Sequence, residues 1–120
     1  MPEALARIPA GSTVVLDCLT LWIARLLCDR LKPAVVLARA DRACLIAKTR
    51  RLNLIAVSNE VGSGVVPPSV SGRAYRDLLG AVNATVAARA GRVELMVAGL
   101  PITVKPGKYP GAHTRCRVPR

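Results

Sequence analysis

The sequence predicts an α/β fold, a mostly parallel sheet with flanking helices, and three observations carry that prediction. Hydrophobic residues make up 52% of the 120 residues, enough for a real core, yet the aromatic residues are only Trp22, Tyr75 and Tyr109. Such a core must be Leu, Val, Ile and Ala packed between layers. Runs rich in β-branched residues recur at 13–16, 54–57 and 93–98, and stretches with helical spacing lie between them.

The first two runs, Thr13-Val14-Val15-Leu16 and Leu54-Ile55-Ala56-Val57, are almost continuously apolar and do not alternate. Strands covered on both faces of a parallel sheet read this way, so both are expected to be central. Between them, Leu19, Trp22, Ile23, Leu26, Leu27 and Leu31 repeat at three and four and predict a helix over 19–31 with one apolar stripe. A second helix is expected over 34–51, less cleanly patterned, with Val35, Val36, Leu37, Leu45 and Ile46 as its apolar residues. A third spans 71–90, where Tyr75, Leu78, Leu79, Val82 and Val86 mark one face and Gly91 stands where a helix would stop. The third strand is expected at 93–98. Gly62, Gly64, Pro67, Pro68 and Gly72 make 59–72 a loop, and from Pro101 onward Pro and Gly recur without periodicity, predicting an irregular tail. These signals give one partial domain over 1–105 and an irregular basic tail over 106–120.

The net charge of +11 raises the question of an anionic partner. Its distribution weakens the case for nucleic acid, because eight of the basic residues lie in the helical stretch from Arg25 to Arg51 and five in the tail from Lys105 to Arg120, without the aromatic stacking positions that a nucleic-acid face uses. The four cysteines, Cys18, Cys28, Cys44 and Cys116, contain no Cys-x-x-Cys pair, and no signal peptide precedes them, so reduced thiols in the cytoplasm are expected. His113 stands three residues before Cys116, too few donors for a zinc site. No apolar run approaches the ~20 residues that span a bilayer.

Two constellations carry chemistry. In Val14-Val15-Leu16-Asp17, a strand delivers a carboxylate at its C-terminal end, where ligands bind in open α/β sheets. Such an acid can hold Mg²⁺ beside nucleotide phosphates, or it can cap the helix that starts near Leu19; residue pattern alone favours neither. The second constellation, Val57-Ser58-Asn59-Glu60-Val61-Gly62-Ser63-Gly64-Val65-Val66-Pro67, places polar groups just past another strand, with glycines that permit a sharp turn or a close approach. An ordinary strand-to-helix loop reads the same way. A Walker A cradle is excluded by the glycine spacing and by the lack of a following Lys-Ser or Lys-Thr.

Four blocks in order resemble the bifunctional adenosylcobinamide kinase / adenosylcobinamide-phosphate guanylyltransferase family: Leu16 to Trp22, Val57 to Pro67, Tyr75 to Gly80 with Val82-Asn83, and Val97 to Pro101. The Asn-Glu-Val-Gly-x-Gly-Val-Val-Pro stretch is the most specific. The resemblance runs from about Glu3 to Lys105. It implies an incomplete P-loop nucleotide-binding (RecA-like) fold and a homo-oligomer. It further implies cobalamin biosynthesis: phosphorylation of adenosylcobinamide, then transfer of GMP from GTP, with GTP or ATP and Mg²⁺ as cofactors and a corrinoid as the other substrate. By the same likeness Asp17 matches the acidic nucleotide- and metal-binding position. Asn59 and Glu60 match a loop at the sheet's C-terminal edge, with site architecture or subunit contact as the role, and Arg76 with Asp77 forms an ion pair positioning a helix.

The family opens with a strand and a Gly-x-x-x-x-Gly-Lys-Ser loop and carries a guanylylated histidine, and neither occurs in these 120 residues; His113 falls in the unmatched tail. The expectation is a truncated chain, weakly active or inactive, whose sheet lacks a strand and which is therefore marginally stable or self-associating. Two competing readings stand beside it: a small basic nucleic-acid-binding protein using the Arg-rich helix, and a non-catalytic subunit completing another chain's site.

Overall fold

The computed structural model describes residues 1–107, divided between two compact units, the first Met1–Arg89 and the second beginning at Ala90. The expectations for Lys108 to Arg120, including His113 and Cys116, lie outside the described residues.

In the first unit the order is α1 (Pro2–Leu5), β1 (Thr13–Leu16), α2 (Leu19–Cys28), α3 (Pro33–Thr49), β2 (Asn53–Ala56) and α4 (Val70–Arg89). β1 and β2 pair in parallel, with Thr13 opposite Asn53 and Leu16 opposite Ala56. Parallel strands need a crossover, and α2 with α3 supplies it.

The core is helix on helix. Leu19, Ile23 and Leu26 of α2, Val36 and Ala40 of α3, and Leu78, Leu79 and Val82 of α4 form one buried cluster, with Leu16 of β1 packed against it. The expected stripes on α2 and α4 are therefore the buried ones. On α3 the buried face is Val36, Ala40, Ala43 and Ala47, spaced four, three and four, whereas Val35 and Leu45 are exposed. Alanine leaves room for close helix approach but carries little hydropathy, so this face does not stand out in the sequence.

The strands depart from the expectation of burial on both faces. Val15 is 63% exposed and Ile55 49% exposed. Among the described residues β1 and β2 pair only with each other, and the helices bury their apolar stripes mainly against one another, which leaves one face of the ribbon open.

Two helix ends share a cap. After α2, the Leu31 N–H donates to the Leu26 carbonyl (3.0 Å) and the Arg30 N–H to Leu27 (2.9 Å); after α3, Leu52 donates to Ala47 (2.8 Å) and Arg51 to Lys48 (3.1 Å). These are Schellman caps, and Arg30 (φ 55°) and Arg51 (φ 52°) hold the left-handed position that glycine usually takes. Just before Arg51, the Arg50 guanidinium donates from Nε (3.0 Å) and Nη2 (2.7 Å) to the Ile8 carbonyl, while the Gly11 N–H donates to the Arg50 carbonyl (3.0 Å). Arg50 thus ties the segment leading into β1 to the end of α3.

The second unit is a hairpin of β3 (Val93–Val97) and β4 (Leu100–Lys105), antiparallel, with Val97 opposite Leu100 and a register shift at Val93/Glu94. Ala98 (φ 50°) and Gly99 (φ 79°) form the two-residue turn. Both signs of φ suit a type I′ turn, whose twist matches the flanking strands. The third predicted strand thus finds its partner in this antiparallel hairpin, and the chain from Pro101 to Lys105 is strand where an irregular tail was expected. Pro101 is tolerated because it faces Met96 one position beyond the pair that closes the turn, a site whose N–H the ladder does not use.

Candidate functional site

The parallel pairing decides where the chemistry-bearing residues lie. Strands that run the same way end at the same edge, and the ladder continues past β1 and β2: the Val57 N–H donates to the Leu16 carbonyl (2.9 Å) and the Leu19 N–H to the Val57 carbonyl (2.9 Å). Val57 therefore brackets Asp17 and Cys18, whose connecting peptide is cis, and Ser58, Asn59 and Glu60 leave from that same edge.

Asp17 is exposed and has no hydrogen-bond or ion-pair partner among the described residues. The N-cap position of α2 is Cys18, so Asp17 does not cap that helix. The Cys18 thiol lies against the hydroxyl of Thr20, a buried residue, and that contact first, then the Leu21 N–H, holds its pKa below the ordinary thiol value.

Beyond β2 the chain from 57 to 69 is held by its own atoms and by α4. The Asn83 side chain uses both ends of its amide: Oδ1 accepts from the Ser58 hydroxyl (2.6 Å) and Nδ2 donates to the Asn59 carbonyl (2.9 Å). A Glu60 oxygen accepts from the Gly62 N–H at 2.7 Å. A Cβ at Gly62 would fall 2.8 Å from that oxygen, so a side chain there would make the Glu60 carboxylate shift. At the far end Ser69 caps α4 by accepting from the Gly72 N–H (3.0 Å), and Arg73 donates to the carbonyls of Pro67 (3.1 Å) and Pro68 (2.8 Å). Between these ties Val65 is 95% exposed.

The Arg76–Asp77 ion pair is present at 2.7 Å, but both residues belong to α4, so the pair decorates that helix and positions no following one. The Arg-rich stretch does not form an uninterrupted cationic face: Arg50 is engaged with Ile8, and Asp41 on the same helix pairs with Arg89 of α4 at 2.7 Å.

Compared with known proteins, residues 1–104 match the family described as cobinamide kinase / cobinamide phosphate guanyltransferase. The chain belongs to this family. It is 41% identical over 97 residues to the bifunctional adenosylcobalamin biosynthesis protein CobP of Pseudomonas aeruginosa, covering 80% of this chain and 55% of that protein. It is 33% identical over 115 residues to the protein of the same description, CobU, of Escherichia coli, covering 83% and 62% respectively. A match of 41% over 63 residues to the Salmonella typhimurium CobU covers 51% and 35%. The chain thus spans little more than half the length of the curated relatives it matches.

For a cobinamide kinase the relevant metal would be Mg²⁺, and the donor set can be tested against it. No group of three or more His, Cys, Asp or Glu side chains is gathered among the described residues. Mg²⁺ keeps several waters and takes one or two carboxylates together with nucleotide phosphates, so a single unpartnered carboxylate at a strand tip fits that chemistry. Asp17 fits; a Glu60 oxygen accepts from the Gly62 N–H of its own loop. The residue that sequence reasoning passed over is Asn83. It stands within a block that carries the resemblance, but an amide gives no charge or spacing signal until its contacts are seen. Among the described residues, no helix is long and apolar enough to cross a membrane.

Proposed function

We propose that this chain supplies the acidic edge of the nucleotide site in an adenosylcobinamide kinase and adenosylcobinamide-phosphate guanylyltransferase, with residues 1–105 as the nucleotide-binding segment. The observation that carries the proposal is the parallel β1–β2 pair, which ends Asp17 and the 58–60 loop at one edge. Family membership supports reading the reaction as phosphoryl transfer to adenosylcobinamide followed by GMP transfer from GTP, and the proposal sets it in the cytoplasm, where GTP and ATP are present.

In this reading Asp17 is the ligand, direct or through water, of a nucleotide-bound Mg²⁺, and Asn59 and Glu60 shape the rim beside it. Mg²⁺, if bound there, would supply neutralisation of the phosphate charge during transfer. What the 120 residues do not contain is the glycine-rich cradle with its lysine, whose backbone N–H groups and charge hold the phosphates. The chain alone is therefore a weak nucleotide binder with little turnover.

The homo-oligomer belongs to the same proposal. Leu95 opposite Ile102 and Val97 opposite Leu100 place four apolar side chains on one face of the hairpin, all exposed among the described residues. The nucleic-acid reading is disfavoured by the engagement of Arg50 and Asp41 in internal contacts.

The test is phosphoryl transfer to adenosylcobinamide with GTP or ATP and Mg²⁺. The chain by itself is expected to give little product, and the chain joined to a strand–Gly-x-x-x-x-Gly-Lys-Ser–helix segment of the family is expected to give more. A joined, folded protein that neither binds nucleotide nor transfers phosphate would contradict the proposal.

A further inference from the structure

Resting on the nucleotide reading above, we propose that Asn83 is the positioning residue of this site, the side chain through which α4 fixes the backbone at 58–59 beside Asp17. It touches neither nucleotide nor metal; it acts through the loop.

The chain leaves β2 at Ala56, and Val57 still belongs to the ladder, held on both its N–H and its carbonyl. From Ser58 onward no strand holds the backbone, and Ser58, Asn59 and Glu60 are all exposed. A loop start of this kind, with three polar residues in a row, would sample many conformations if left to solvent. Asn83 prevents this by using both functions of one amide. Its Oδ1 takes the Ser58 hydroxyl proton, and its Nδ2 donates to the Asn59 carbonyl, so two successive residues are pinned by one side chain 24 and 25 positions away in sequence.

The anchor is itself fixed, because Val82 beside it is wholly buried and Leu79, one turn before, is too. Asn83 is half-buried at the margin of that packed face, so its backbone is set by the core while its amide reaches the loop. Aspartate would keep the acceptor for Ser58 but turn an oxygen towards the Asn59 carbonyl, and leucine would offer neither partner. The second tie on Glu60, from the Gly62 N–H, then carries the shape one residue further. Fixing the loop before a ligand arrives removes an ordering cost from binding, which is how a side chain with no contact to the nucleotide affects its affinity.

The experiment uses the full ¹⁵N-labelled chain, with Asn83→Ala, Asn83→Asp, Ser58→Ala and the double variant Asn83→Ala/Ser58→Ala. Thr85→Ala, which removes only a hydroxyl bonded within α4 to Ala81, is the control. Two quantities are read for each: amide exchange at 59–62, and the dissociation constant for GTP with Mg²⁺ from chemical-shift titration. Losing two neutral hydrogen bonds is expected to speed exchange at 59–62 about tenfold in Asn83→Ala and less in Ser58→Ala. The double variant is expected to match Asn83→Ala, since the Ser58 bond is already gone. Asn83→Asp is expected to resemble Asn83→Ala, not the wild type. GTP affinity should fall in the same order while exchange in the buried part of α4 stays unchanged, a separation that a merely structural role would not produce.

Unchanged exchange at 59–62 in Asn83→Ala would overturn the clamp. Faster exchange with unchanged GTP affinity would overturn its role at the site. Absence of any GTP-induced shift in the wild type would overturn the nucleotide reading, and with it the positioning role, while the exchange data would still decide whether the clamp exists.

Discussion

Replacing Arg50 by alanine removes the two hydrogen bonds that hold the Ile8 carbonyl to the end of α3. Bonds from a charged donor contribute about 1.5–3 kcal/mol each when isolated. Here both share one acceptor at a half-buried site where water competes, so about 2 kcal/mol together is a reasonable magnitude. The Gly11 to Arg50 backbone bond survives the substitution. Lysine can reach the same oxygen with a single donor and should recover roughly half of the loss. Trp22 packs against the core of the first unit, and as the only tryptophan its fluorescence follows that unit in urea. With a slope of about 1 kcal/mol per molar urea, Arg50→Ala should lower the midpoint by about 2 M, and Arg50→Lys by about 1 M. The interaction is between a charge and a carbonyl, so raising salt to 0.5 M, on the order of several times physiological strength, should change the difference little. A midpoint within about 0.3 M of the wild type would refute the reasoning. A large loss of duplex-DNA affinity in Arg50→Ala without loss of stability would instead favour the nucleic-acid reading.

Three further outcomes are expected. Arg51→Gly relieves a left-handed arginine in a Schellman cap and should stabilise the first unit by about 0.5–1 kcal/mol, read from the same urea midpoint. Ala98→Asn gives the hairpin the Asn-Gly pair that a type I′ turn favours and should increase amide protection in β3 and β4 about fivefold; unchanged protection would show that the turn does not limit hairpin opening. Cys18 and Cys44 should part in alkylation. The Thr20 hydroxyl lowers the Cys18 pKa, so its thiolate and its reaction rate rise at lower pH than for a free thiol, whereas burial raises the Cys44 pKa and moves its profile to higher pH. Thr20→Val should move the Cys18 profile upward, as followed by mass spectrometry across pH.

What could be read from sequence divides along physical lines. α2 and α4 declare themselves because their buried faces are built from large aliphatics: Ile23, Leu26, Leu79 and Val82 lie at the very spacings that predict them. The interior of α3 is hidden because its buried face is mostly alanine, and the exposed Val35 and Leu45 draw attention to the wrong side. β4 is hidden by Pro101, which is a strand breaker except at the ladder position it occupies here. α2 and α3 end three and two residues before the sequence pattern predicts, because their left-handed caps are arginines instead of glycines. At the site, strand tips could be anticipated from the apolar run ending in Asp17. The parallel register that unites Asp17 with Ser58, and the reach of Asn83 from a distant helix, are tertiary facts that no local pattern encodes.

The most direct measurement of the central claim is paramagnetic broadening by Mn²⁺ with GTP on the ¹⁵N-labelled chain, Mn²⁺ standing in for Mg²⁺ at oxygen ligands. If β1 and β2 deliver one nucleotide edge, the amides of Asp17, Cys18 and Ser58 to Glu60 broaden together, and Asp17→Asn abolishes the effect at all of them. Broadening confined to other parts of the chain, or unchanged by Asp17→Asn, would contradict the account.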